Sequence, residues 1–184
     1  MDQIELLGKI ESDLRDLLEM VRSRLSNQPL EALQLRKGME SWNALECIAH
    51  LNIFLDMYLP RIERSIHLAK ARRWAQTGQG ARVSYTWVAR RVLRIADVAT
   101  GKPRRTPKRY DLIHQPMGKE VLKTFLINSE RLLRNIQAVK EVDLNRPKIG
   151  WGPSGFFKMT LGNMLEWLVR HGQRHVLQAT RNVG

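Results

Sequence analysis

Apolar residues recur at three- and four-residue steps along most of this chain. From about Asp2 to Ser26, the positions Ile4, Leu7, Ile10, Leu14, Leu17, Val21 and Leu25 keep that step, while acids, Arg15 and Arg22 fill the other face. A stripe of this period predicts an amphipathic bundle helix. NQPLEALQLRKGMES breaks it, punctuated by Pro29 and Gly38. A second helix is expected from Ser41, a good N-cap, with Leu45, Ala49, Ile53 and Met57 on one side. Pro60 is expected to kink it before it continues through Ile62 and Ile66. A third helix is expected over about 118–142, on Val121, Phe125, Leu132, Leu133, Ile136 and Val139. A fourth begins near Thr160, again a plausible N-cap, and reaches about Thr180. Strand signals are nearly absent. The expected fold is all-α: a four-helix bundle in a single domain over residues 1–184, with a long crossover between helices two and three at about 76–117.

Inside that crossover, SYTWVARRVLRIADVA reads as a short basic helix. Trp87, Val88, Val92 and Ile95 are its apolar positions, and Arg90, Arg91 and Arg94 form a cationic edge. The connector TGKPRRTPKRYDLIHQP adds Arg104 and Arg105. The formal net charge of +13 therefore has an address: residues 61–109 hold 14 Lys and Arg against Glu63 and Asp97. The remaining chain is close to neutral, so the charge describes one segment and not the whole surface. These five arginines are candidate anion-binding groups, and Trp74, Tyr85, Trp87 and Tyr110 are interleaved with the basic residues. The leading reading is a solvated crossover whose aromatics pack onto the bundle. Nucleic acid comes next, and an acidic partner or an anionic membrane after it. No helix-turn-helix, zinc-finger or RNA-reading motif is visible.

Composition narrows the class. A hydrophobic content of 43% is ordinary for a folded protein. No apolar run is long enough to span a bilayer. The start, MDQIELLGKIESDL, has acids where a signal peptide has basic residues, and the lone Cys47 cannot form an internal disulfide. Both fit a cytoplasmic protein.

The candidate chemistry lies in histidines. His171 and His175, in LEWLVRHGQRHVLQA, leave one helix face about one turn apart, close enough for one ion to hold both. Residue 172 is Gly, where a zincin protease needs its general-base Glu. His50, in WNALECIAHL, sits beside the stripe of the second helix. Taken alone it reads as a core-edge histidine bonded to a backbone carbonyl. Together the three could form a metal site with an open position, in the interior where bundles build such sites. Glu46, Asn163 and Glu166 are candidates to orient the imidazoles. The plainer reading makes the two glutamates solvated helix charges. Cys47 reads as a small buried hydrophobe. Arg174 is expected to point away from the pair, toward a salt bridge or an anionic substrate. His67 and His114 stay outside the site.

WNALECIAHL, with Trp42 eight residues before His50, resembles the first histidine motif of the DinB-like superfamily. VDLNRPKIGWGPSGFFKMTLGNMLEWLVRHGQRHVLQATR resembles its second, and TPKRYDLIHQP is similar to a connector of a bacterial branch. The resemblance implies a four-helix bundle, often a homodimer. It also implies a divalent metal (zinc, nickel, iron or manganese) held by three histidines, matching His50, His171 and His175. Members of the superfamily include thiol-dependent S-transferases and an isomerase that use low-molecular-weight thiols such as bacillithiol or mycothiol. The expectation is therefore a metal-dependent transferase or related hydrolase acting on a thiol and an electrophilic small molecule. The alternative is a non-catalytic module whose basic segment 61–109 meets nucleic acid or an anionic membrane. No catalytic residue beyond the metal ligands is assigned.

Overall fold

In the computed structural model, which describes residues 1–75, 81–99 and 106–183, the chain is mostly helical with one two-stranded sheet. The long helices are α1 (Gln3–Arg24), α3 (Ala44–Ala71), α5 (Glu120–Ala138) and α6 (Leu161–Val183). Short α2 (Leu30–Leu33) and α4 (Trp87–Ala96) lie in the connections. Both α1 and α3 pack against α5 and α6, and α4 lies on α6. The core runs between them, built from Leu6, Ile10, Leu14 and Val21 of α1 and Ile48, Leu55 and Ile62 of α3 among others. Ile4 belongs to the sequence stripe but is 58% exposed, and Leu6 and Leu18 take the buried places instead.

The helix ends follow local chemistry. Helix α3 begins two residues later than Ser41 suggests, because Asn43 and Glu46 form a reciprocal capping box. The Asn43 side chain accepts from Glu46 N–H at 2.9 Å, and Glu46 accepts from Asn43 N–H at 2.9 Å. The Ser41 hydroxyl closes a turn onto the Gly38 carbonyl instead, at 2.7 Å. Helix α3 continues through Pro60, which lies on its exposed side. Thr160 caps α6 as its position suggests, with its hydroxyl accepting from Asn163 N–H at 3.2 Å. Helix α5 ends at Ala138, four residues short of the expected Val142.

The loop before α6 contains the element that the periodicity did not reveal. Strands β1 (Lys148–Trp151) and β2 (Phe157–Thr160) pair antiparallel, with Ile149 opposite Met159 and Trp151 opposite Phe157. The prolines and glycines around these two four-residue strands read as loop punctuation in the sequence. Two glycines shape the connection: Gly152 and Gly155 have φ of +70° and +63°, in the left-handed region that favours glycine. Helix α3 clasps this hairpin. Arg61 donates to the carbonyls of Gly150 at 3.1 Å and Gly152 at 2.9 Å, and the Tyr58 hydroxyl accepts from Gly152 N–H at 2.9 Å.

A Cβ at Gly150 would lie 2.6 Å from Gly155 Cα, and backbone cannot yield as a side chain can. Gly150→Ala should therefore spread the hairpin and cost about 1–3 kcal/mol, read as a lowered urea midpoint with unchanged slope. An unchanged midpoint would show that the hairpin tolerates the added methyl.

Candidate metal centre

Helices α3 and α6 bring His50, His171 and His175 together. One nitrogen from each ring lies within 4.8 Å of the others. The ring centroids are 5.2 Å apart for His50 and His171, 4.8 Å for His50 and His175, and 4.7 Å for His171 and His175. His171 and His175 reach one place because they are a helical turn apart. His50 meets them because α3 packs on α6.

The surroundings are aromatic. Trp167 stacks on His171 at 4.7 Å with 16° between planes, and Phe54 meets the same ring edge-on at 5.0 Å. Trp42 covers His50 at 4.7 Å and His175 at 5.7 Å. Trp42 is itself held by Asp111, which accepts from its indole N–H at 3.0 Å. Trp151 of the hairpin packs on Trp167 at 4.5 Å, so the hairpin supports the site through one intervening ring.

Burial sets the protonation states. Loss of hydration pushes His50 down to about 4, against the opposing pull of the Tyr110 carbonyl. It lowers His175 to about 3, and it holds His171 well below the ordinary histidine value. All three rings are therefore neutral at pH 7 and keep a lone pair for a cation. Their hydrogen bonds select the tautomer. His50 Nδ1–H donates to the Tyr110 carbonyl at 3.0 Å, and His175 Nδ1–H donates to Gln178 Oε1 at 3.1 Å. Each of these rings is left with an unprotonated Nε2. His171 Nδ1 is buried with no hydrogen-bond partner among the described residues. A cluster of neutral nitrogen donors with one buried polar atom unsatisfied fits a divalent cation.

The oxygen atoms that orient the imidazoles are thus the Tyr110 carbonyl and Gln178, whereas Glu46, Asn163 and Glu166 bond elsewhere. Glu46 is wholly buried, caps α3, grips the Arg36 guanidinium with both oxygens and accepts from His114 N–H at 2.6 Å. Asn163 accepts from Thr86 N–H at 3.2 Å. Glu166 pairs with Arg170 at 2.7 Å. Both glutamates are buried, so neither is a solvated helix charge. Gln178 had a sequence signal, since it lies three residues beyond His175 on the same helix face. The Tyr110 carbonyl had none, because any residue carries one.

Other residues fall as follows. Cys47 is buried, and burial pushes its thiol up to about 12, which keeps it protonated. A Cβ at Gly172 would stand 2.8 Å from Leu17 Cδ1, so a glutamate there would enter the packed α1 face. Arg174 donates to the Asp97 carbonyl at 3.1 Å. His67 and His114 are exposed, away from the cluster. Tyr110 is buried, and Trp74 and Tyr85 pack against the core, so of the four interleaved aromatics only Trp87 stands out into solvent. Arg90, Arg91 and Arg94 are exposed on α4, while Arg104 and Arg105 lie outside the described residues. No helix among the described residues is long and apolar enough to cross a membrane.

A family model described as the DinB superfamily matches residues 13–179, and the chain belongs to that superfamily. No curated protein and no solved structure matches it.

Two outcomes follow from these contacts. In the unfolded chain the three histidines take up protons below about pH 6.5, whereas folded His50 and His175 resist protonation until about pH 4 and 3. Metal-free protein should lose stability as pH falls below 6.5, by up to about 1.4 kcal/mol per pH unit for each such histidine. Urea midpoints at pH 7.5 and pH 5 check this, and equal midpoints would contradict it. Glu46→Gln should lower stability by about 3 kcal/mol by weakening a buried ion pair. Its metal content should stay unchanged, and metal loss at full stability would instead give Glu46 a role at the rings.

Proposed function

We propose that the protein is a metal-dependent enzyme in which His50, His171 and His175 hold one divalent cation. The observation that carries this reading is the convergence of three neutral imidazoles within 4.8 Å, two of them oriented through Nδ1–H by oxygen acceptors. A purely structural histidine core has no need of three nitrogen donors facing one another, since buried neutral rings are best served by hydrogen bonds or apolar contacts. Membership of the DinB superfamily supports the same reading.

When bound, a divalent cation there would lower the pKa of a coordinated thiol or water toward neutrality. The chain's own contribution is positional. The Tyr110 carbonyl and Gln178 hold two rings in one tautomer, and Trp42, Phe54 and Trp167 exclude water from the donor atoms. No carboxylate belongs to the histidine cluster among the described residues, and Asp111, the acid whose charge reaches His50, is held by the Trp42 indole. This suits transfer to an electrophile by a low-molecular-weight thiol, or a related hydrolysis. The four long helices serve as a four-helix bundle with α4 in its crossover. The resemblance to DinB-like proteins also supports a homodimer, and the lone Cys47 suits a reducing cytoplasm.

Untagged protein should purify with about one divalent ion per chain, as one such site requires. The His171→Ala, His175→Ala variant should lose it while keeping its helical circular dichroism. Full retention by the variant would remove the assignment. For the chemistry, the cobalt(II)-loaded protein should develop a thiolate-to-metal charge-transfer band on titration with a low-molecular-weight thiol. An unchanged spectrum with thiol in excess would count against thiol transfer and leave hydrolysis as the reading.

A further inference from the structure

Helix α4 and the tip of the hairpin form a surface that the metal site does not use. Trp87 is 63% exposed, Phe156 80% and Phe157 51%. Their rings are neighbours, with Trp87 6.4 Å from Phe157 and Phe157 5.2 Å from Phe156. Three adjoining exposed aromatics are unlike the scattered apolar residues of an ordinary surface. Trp87 shares a shallow depression with Arg90, Arg91, Arg94 and Ile95. All three arginines are exposed. Asp97, the acid nearest to them in sequence, is engaged by Arg170 at 3.4 Å. The segments that build the surface, 81–96 and 144–165, contain no acidic residue, while Arg82, Lys148 and Lys158 add to its cations.

We propose that this face docks on an anionic phospholipid surface, with Trp87, Phe156 and Phe157 entering the headgroup boundary and Arg90, Arg91 and Arg94 meeting lipid phosphates. Charge complementarity fixes the sign of the partner. Ring geometry distinguishes a bilayer from single-stranded nucleic acid. A base is bound by stacking on an open aromatic face. Here Trp87 and Phe157 are tilted by 52°, and Phe156 and Phe157 by 87°, so the rings pack against one another as a wedge. Two phenylalanines at a turn offer no hydrogen-bonding edge to a base, but they suit a hydrocarbon boundary flanked by cationic side chains. The hairpin turn is shaped by Gly152 and Gly155, and Arg61 and Tyr58 of α3 anchor its base, so the wedge has a fixed mount. The proposal does not rest on the metal.

The test is flotation of the full chain with vesicles of phosphatidylcholine alone and vesicles that include phosphatidylserine. The protein should float only with the anionic vesicles, and less as salt rises. Phe156→Ala/Phe157→Ala should weaken binding about tenfold or more. Arg90→Gln/Arg91→Gln/Arg94→Gln should weaken it about fivefold for each charge removed. These side chains are exposed, and unchanged circular dichroism would confirm that the variants fold. Absence of binding at low salt, or binding that both variants leave intact, would overturn the proposal. So would tighter binding of a single-stranded oligonucleotide that the same variants abolish, with the vesicles left unbound. A self-associated form that the phenylalanine variants dissociate, without vesicle binding, would assign the face to a second copy of the chain and also overturn it.

Discussion

Everything at the centre of this molecule depends on keeping three imidazoles neutral, dry and close together. Dehydration disfavours the charged form of each ring, and their proximity adds to it, since a proton on one raises the cost of a proton on another. The resulting cluster of lone pairs is of little use to a folded core by itself. Its cost is offset in part by the Tyr110 carbonyl and Gln178, and in part by close aromatic packing around the rings. The fold around the site can be understood as the means of holding that arrangement. Helix α6 supplies two rings at one-turn spacing, α3 supplies the third, and the crossover returns to place a backbone carbonyl behind it.

This dependence gives several remote contacts a purpose. The buried Glu46 touches no imidazole, yet it joins the start of α3, the Arg36 loop and the backbone at His114. It therefore fixes the crossover segment that carries Tyr110 against the helix that carries His50. Asp111, the next residue, holds Trp42 over two of the rings. The connector is basic in composition, but its described end serves the site through backbone carbonyl and carboxylate.

Much of the fold was legible because helices that bury one face must repeat every 3.6 residues, and α1, α3, α5 and α6 all do. The metal-compatible histidines were legible for a related reason: His171 and His175 share a face by spacing, and the motif around His50 resembled a known partner for them. The orienting groups were not. A carbonyl acceptor leaves no trace in side-chain identity, and Glu46 and Glu166 look like surface charges until tertiary packing buries them beside Arg36 and Arg170. The hairpin escaped notice because its prolines and glycines read as loop punctuation and its stability comes from α3, through Arg61 and Tyr58. Ile4 shows the converse limit, since a residue can satisfy the helical period and still face solvent at the stripe's edge.

The central claim concerns what binds between the three rings, and X-ray absorption at the metal edge of the loaded protein addresses it most directly. The account predicts three imidazole nitrogens at about 2.0–2.1 Å for zinc, with light-atom scatterers in any remaining position and no protein sulfur. A sulfur shell at about 2.3 Å in the absence of added thiol, or a sphere of oxygen alone, would place the ion elsewhere and contradict it.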